Sequence, residues 1–192
     1  DHVRHGMAFW WDVLYRERTA RGTPHAEAMA ELRAWKRWRW EEQERRLADL
    51  FGPRALEPAG ELDRPLTVDE LKAMAASPHV RIGDHTHRHL ALPLYTDEEV
   101  RDSLRASAHW LQRTIGVAPV SFAYPYGSLD DRAMRLVREA GHRVGLAYDK
   151  GPVGRDDLHA DGLMRVRRNT LTGSLDITTQ CHNLFVGAAP AR

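Results

Sequence analysis

The chain has 192 residues, long enough to bury a core and short enough for one domain. Its 28 basic and 27 acidic side chains nearly cancel, so net charge gives no reason to expect nucleic acid or an anionic membrane as a partner. A single cysteine, Cys181, excludes an internal disulfide, and no apolar run approaches the ~20 residues of a membrane span.

No signal peptide opens the sequence at Asp1, so a cytoplasmic and an extracytoplasmic location both stay open. Residues 8–20 read as a helix carrying Phe9, Trp10, Trp11, Val13, Leu14 and Tyr15, ended by Gly22 and Pro24. A second helix is expected from His25 to Leu50, with Met29, Leu32, Trp35, Trp40, Leu47 and Leu50 on a loose stripe. Trp35, Trp38 and Trp40 cannot share one narrow face. They pack against the first helix, or they offer a sugar-stacking or partner surface, since indole joins apolar area to a polar handle. Phe51-Gly52-Pro53 ends this region. Residues 1–62 are read as a helical insertion or cap and 63–192 as the body of the same single domain.

From Pro65 the signals become regular. Thr67 with Glu70, and Thr96 with Glu99, are capping boxes that open helices over 68–76 and 97–115, the second with Val100, Leu104, Ala108, Leu111 and Ile115 inward and Gly116 as its left-handed cap. Ser128 is the expected cap of a helix reaching Ala140. Strands are expected at 80–85, 120–124, 143–148 and 163–169. Strands alternating with helices favour a parallel sheet, in which chemistry sits at the carboxyl ends of strands. Two stretches lie there, His85 to His89 and Tyr124 to Gly127. His85 and His89 can face one metal ion if the chain between them makes a helical turn; the plainer reading is a polar surface turn with several histidines.

These residues carry a resemblance. Gly83-Asp84-His85-Thr86-His87-Arg88-His89 and Phe122-Ala123-Tyr124-Pro125-Tyr126-Gly127 resemble the H-[ST]-x-x-H and P-Y-G motifs of polysaccharide deacetylases, carbohydrate esterase family 4, and Phe9-Trp10-Trp11-Asp12 resembles a segment of members with a helical insertion. The resemblance implies an incomplete (β/α) barrel and a metal-dependent hydrolase removing N- or O-acetyl groups from a carbohydrate. It makes His85 and His89 ligands of a divalent ion, zinc by expectation, and Thr86 a brace for their loop. The Tyr126 backbone N–H becomes an oxyanion donor, and Pro125 and Tyr124 lie at the substrate.

The departures shape the expectation further. No Asp-Asp pair of the kind that supplies the family's third ligand and general base is found, so the chain is expected to start downstream of it, inactive in this form. The apolar edge left by missing first strands is expected to be covered by the N-terminal helices or by a second copy in a homodimer. Asp84 should point away from His85, because successive strand side chains alternate. Asp12, Asp130, Asp131 and Asp149 have no spacing that favours them as ligands, and His159 and His182 are distant candidates for the acid histidine. The alternatives are a non-catalytic relative that binds a carbohydrate or partner, and a structural protein whose histidines are incidental.

Overall fold

The computed structural model describes residues 1–149, 153, 155–158, 162–169, 173 and 176–186. A short helix α1 (His2–His5) precedes α2 (Trp10–Ala20), α3 (His25–Trp35) and α4 (Trp40–Phe51). The helix expected to run unbroken from His25 to Leu50 is therefore two helices. Gln43, buried on α4, supplies the physical reason for the break. Its amide nitrogen donates to the carbonyls of Trp35, at 2.8 Å, and Trp38, at 3.3 Å, and so holds the turn after α3, in which the Trp35 carbonyl also accepts from Trp38 N at 3.0 Å. The break frees Trp40 to donate its backbone N–H to the Tyr95 hydroxyl at 2.7 Å. Leu50, expected on the inward stripe, is exposed.

Both capping boxes form. Thr67 opens α5 (Val68–Ala75) and Thr96 opens α6 (Asp97–Ile115), each side chain accepting from the glutamate three residues on while that glutamate accepts from the threonine amide. Gly116 ends α6 at φ 73°. The cap of α7 (Asp131–Glu139) is not Ser128 but Asp130, whose carboxylate accepts from Ala133 N at 2.6 Å. A carboxylate at this position also complements the positive end of the helix, which a serine cannot do.

Of the four expected strands, two are regular: β1 (Ser121–Ala123) and β2 (Val144–Leu146), paired in parallel with Phe122 opposite Gly145. The other two are reduced to single parallel bridges, Asp84 with Phe122 on one side and Leu146 with Val166 on the other. Residues 163–165, expected in strand, belong instead to a 3-10 turn, Gly162–Arg165, that delivers Val166 to the bridge. The array is thus mixed helix and sheet, with segments ordered 84, β1, β2, 166 in parallel. Gly145 sits where a Cβ would collide with the Met164 carbonyl, and that close approach lets the fourth segment reach β2.

The described residues form two apolar clusters. One, built from Leu92, Val100, Leu104, Phe122, Tyr124, Leu136, Val137, Met164 and neighbours, lies between the strand array and the helices α6 and α7. The other joins Ala8, Trp10, Val13, Leu14, Leu32, Trp35, Leu47 and Ala55 of the N-terminal helices. The N-terminal tryptophans pack within this chain: Trp10 and Trp35 are buried and stacked at 5.8 Å between ring centroids, and Trp40 lies against the first cluster. Tyr126 packs on the edge of the N-terminal cluster and so joins the two regions at the carboxyl end of β1. No helix among the described residues is long and apolar enough to cross a membrane. A final helix, α8 (Ile177–Val186), carries the exposed Cys181.

Candidate functional site

His85 leaves the first strand segment one residue after the Asp84 bridge. Its Nδ1–H donates to the Ala123 carbonyl at 2.6 Å, a bond that fixes the tautomer and turns Nε2, which has no protein partner among the described residues, outward as a lone-pair donor. His89 returns to the same place, its ring centroid 4.6 Å from that of His85. The return is not the helical turn that the spacing suggested. Thr86 and His89 both adopt left-handed backbone, φ 67° and 57°. For a β-branched residue such as Thr86 this is a true outlier, the kind of backbone that costs on the order of 1–3 kcal/mol and persists where surroundings impose it. The Thr86 hydroxyl accepts from Leu90 N at 2.9 Å and closes the turn. His87 projects the other way, its amide donating to Ser103 Oγ at 3.2 Å and its Nε2 lying 3.1 Å from an Asp1 carboxylate oxygen.

Tyr126 is the third left-handed residue, at φ 58°, and Gly127 follows at φ 69° where a Cβ would run into Tyr148. The Tyr126 ring meets His89 edge-on at 4.5 Å, and its hydroxyl accepts from Trp10 Nε1 at 2.8 Å. Trp11 packs beside both, 4.7 Å from His89 and 6.4 Å from Tyr126, with Phe9 stacked on it at 4.5 Å. The N-terminal helices therefore build the aromatic wall of the histidine pair. Sequence reading placed these tryptophans on helices but had no signal for which one reaches the histidines. Tyr124 and Pro125, expected at the substrate, are in the core: both are fully buried, and the Tyr124 hydroxyl donates to the Met164 carbonyl at 2.9 Å. The strand alternation that aims His85 outward turns Tyr124 inward.

Burial is the largest influence on the pair. It holds His89 down to about 3, with the His85 charge a second cause, and it lowers His85 too, against the opposing hydrogen bond to Ala123. His85 keeps an exposed edge, so the firmer statement is for His89, whose Nδ1 is buried without a hydrogen-bond partner. Two neutral imidazoles side by side, one with an orphaned buried nitrogen, suit a divalent cation as two of its ligands. Among the described residues no group of three histidine, cysteine, aspartate or glutamate side chains comes together to hold one. Asp84 is buried and points away from His85 as expected, Asp130 is committed to the α7 cap, and Asp149 pairs with Arg165 at 2.7 Å. Asp12 is raised above the usual carboxylate range, first by burial and then by Asp63. His159 lies outside the described residues.

A neutral buried histidine makes the fold acid-sensitive. Its folded pKa lies below the ordinary value of 6.5, so its contribution is complete above 6.5 and is lost as pH falls from there toward 3. The loss amounts to at most about 1.4 kcal/mol per pH unit. His89→Asn removes the titration and keeps a residue type that tolerates left-handed backbone. Thermal melts between pH 7 and 3 are expected to show a shallower acid decline for His89→Asn than for the wild type; parallel declines would remove His89 as a source of the sensitivity.

A parallel strand array that presents paired histidines and an aromatic wall at its carboxyl ends is an α/β arrangement suited to a metal-assisted site. The family comparison gives the class a name. The polysaccharide deacetylase family profile matches residues 41–145, more than half of the sequence, and the chain belongs to that family. Chitin deacetylase 1 of Cryptococcus neoformans var. grubii is 36% identical over 61 residues, 32% of this chain and 13% of that protein. A Streptococcus pyogenes deacetylase solved in complex with acetate shares the fold at a TM-score of 0.57 and 18% identity, over 65% of this chain and 53% of that one. A Bacillus cereus polysaccharide deacetylase also gives 0.57 and 18%, over 75% and 47%. The chain thus spans about half the length of these solved deacetylases and far less of the curated relative.

Proposed function

We propose that this chain belongs to a metal-dependent carbohydrate deacetylase, one domain in which residues 63–192 form part of an incomplete (β/α) barrel and residues 1–62 cap its histidine end. The observation that carries the reading is the convergence of His85, His89 and Tyr126 at the carboxyl end of β1. His85 and His89 would hold the ion, zinc by preference for two imidazoles. Such an ion, when bound, supplies Lewis-acid polarisation of an acyl oxygen and a lowered pKa for bound water. The chain's own residues orient and enclose. The Ala123 carbonyl fixes the His85 tautomer. The left-handed backbone of Tyr126 and Gly127 aims the Tyr126 N–H as an oxyanion donor, a role in which one preset hydrogen bond counts for much because it need not reorganise during the reaction. Trp11, Phe9 and the Tyr126 ring keep bulk water from one side of the histidines.

A family member named for chitin makes an N-acetylated amino-sugar polymer the substrate class to try first. The described residues supply neither a third ligand nor a general base beside the histidines, so the reading includes little turnover by these 192 residues alone. That same gap is what favours the second reading, a carbohydrate-binding relative without catalysis. The test is acetate release from N-acetylated chito-oligosaccharides by the complete product of the gene, in zinc, with His85→Ala as control. Release that His85→Ala abolishes is expected. Release that survives both His85→Ala and His89→Ala would overturn the assignment of the site, and zinc-independent binding of the sugar without release would favour the second reading.

A further inference from the structure

Beneath the histidine turn lies a polar cluster that the chemistry above does not use. Asp84 is 2% exposed, yet its carboxylate has a full set of neighbours. Oδ1 accepts from His85 N at 2.7 Å and from Thr86 N at 3.2 Å. The Ser107 hydroxyl, on α6, lies within hydrogen-bond distance of both carboxylate oxygens, at 2.7 and 2.8 Å. His142, also buried, brings Nε2 to 3.3 Å from Oδ2, without the alignment of a hydrogen bond. The Asp84 backbone is held as well: its N–H donates to the Ser121 carbonyl at 2.8 Å, and its carbonyl accepts from Ala123 N at 2.9 Å. Ala123 is the residue whose own carbonyl receives the His85 ring. One residue thus ties the strand array, α6 and the histidine turn together. A second α6 serine, Ser103, one turn before Ser107, takes the His87 amide.

We propose that Asp84, gripped by Ser107 of α6, is the positioning residue of the histidine pair: as acceptor of the His85 and Thr86 amides it imposes the left-handed turn and sets the His85 ring against Ala123. The inference rests on the proposed ligand role of His85 and His89 and adds to it the part that arranges them. An acceptor is what the two amides require; buried with no acceptor they would each be left unsatisfied, and the turn would relax to a conformation that Thr86 prefers. Ser107 matters because a buried carboxylate must be solvated by the protein when water is excluded. Residues that hold a metal ligand in place typically change metal affinity by about 10- to 100-fold when removed.

The experiment compares wild type, Asp84→Ala, Asp84→Asn and Ser107→Ala by calorimetric titration with zinc, each with a thermal melt, and reads the His85 ring tautomer by nitrogen NMR. Asparagine keeps the oxygen that receives the two amides and offers a donor to Ser107, so Asp84→Asn is expected to bind zinc within a few-fold of wild type and to keep the Nδ1–H form of His85. Asp84→Ala is expected to lose about 10- to 100-fold in zinc affinity, with a mixture of His85 tautomers, and Ser107→Ala to fall between. A purely structural role would lower the melting temperature and leave zinc affinity and tautomer untouched. Asp84→Asn failing as badly as Asp84→Ala would overturn the acceptor role, as would wild-type affinity in both Asp84→Ala and Ser107→Ala. If Asp84→Ala does not fold, Ser107→Ala against Asp84→Asn decides the matter by the same two readings. A wild-type chain that takes up no zinc brings down the metal reading itself, and the tautomer measurement then decides Asp84 alone.

Discussion

Replacing His85 or His89 by alanine is expected to abolish saturable zinc uptake, whereas His87→Ala is expected to leave it nearly unchanged. The three histidines sit at alternate positions of one short loop, and neutrality alone does not separate them, since burial also lowers His87, to about 4. Geometry does. His85 and His89 bring their rings to 4.6 Å, with a carbonyl fixing one tautomer and burial keeping the other ring neutral. Both conditions favour a lone pair available to a cation at neutral pH. The His87 ring faces Asp1 on the far side of the turn. If the two rings are the nitrogen ligands that the described residues supply, each carries about half of their hold on the ion, and no other described side chain makes good the loss of either. Calorimetric titration of the three single variants reads this directly. Equal loss from His87→Ala would show that the ion sits on the outer face of the loop, and an unaffected His89→Ala would reduce the pair to one ligand.

Much of this architecture was legible locally. Both capping boxes form because the pairing of a threonine with a glutamate three residues on is a property of one helical turn, whatever surrounds it. Alternation along the first strand segment placed Asp84 on the side away from His85, and the buried Asp84 and exposed His85 do lie on opposite sides. The same alternation, applied to Tyr124, would have removed it from the substrate list. What was not legible depends on partners distant in sequence. Gln43 breaks the long helix by reaching back to two carbonyls, and no periodicity announces a capping glutamine. The stripe of α6 was read as apolar, but Ser103 and Ser107 lie on it, buried because the histidine turn supplies their partners. The spacing of His85 and His89 suggested a helical turn; the left-handed Thr86 and His89 reach the same juxtaposition by another route. Two strands shrank to single bridges, since hydrophobic alternation records which side chains face inward and not how many ladder bonds the neighbours will supply.

The isolated chain, folded and supplied with zinc, is expected to release little or no acetate from N-acetylated chito-oligosaccharides. A general base must reach the attacking water within about 2.6–3.2 Å or through one further water, and it contributes typically about 10²–10⁴-fold. Beside the histidine pair the described carboxylates are already committed. Asp84 lies in the core beneath the turn, held by Ser107 and two amides, and its oxygens face away from the side on which His85 Nε2 opens. Asp130 caps α7, and Asp149 pairs with Arg165. His89 is neutral and so chemically able to take a proton, but a histidine spent on the ion is no longer a base. The loss is compounded at the ion itself, because catalytic zinc sites usually keep three protein ligands and two hold it weakly. Acetate release by the 192-residue chain, set against the complete gene product under the same conditions, measures both deficits together. Robust turnover by the isolated chain that His85→Ala abolishes would mean that a carboxylate now assigned to structure swings into the site, and Asp149, exposed enough to leave Arg165 at small cost, is the first to replace.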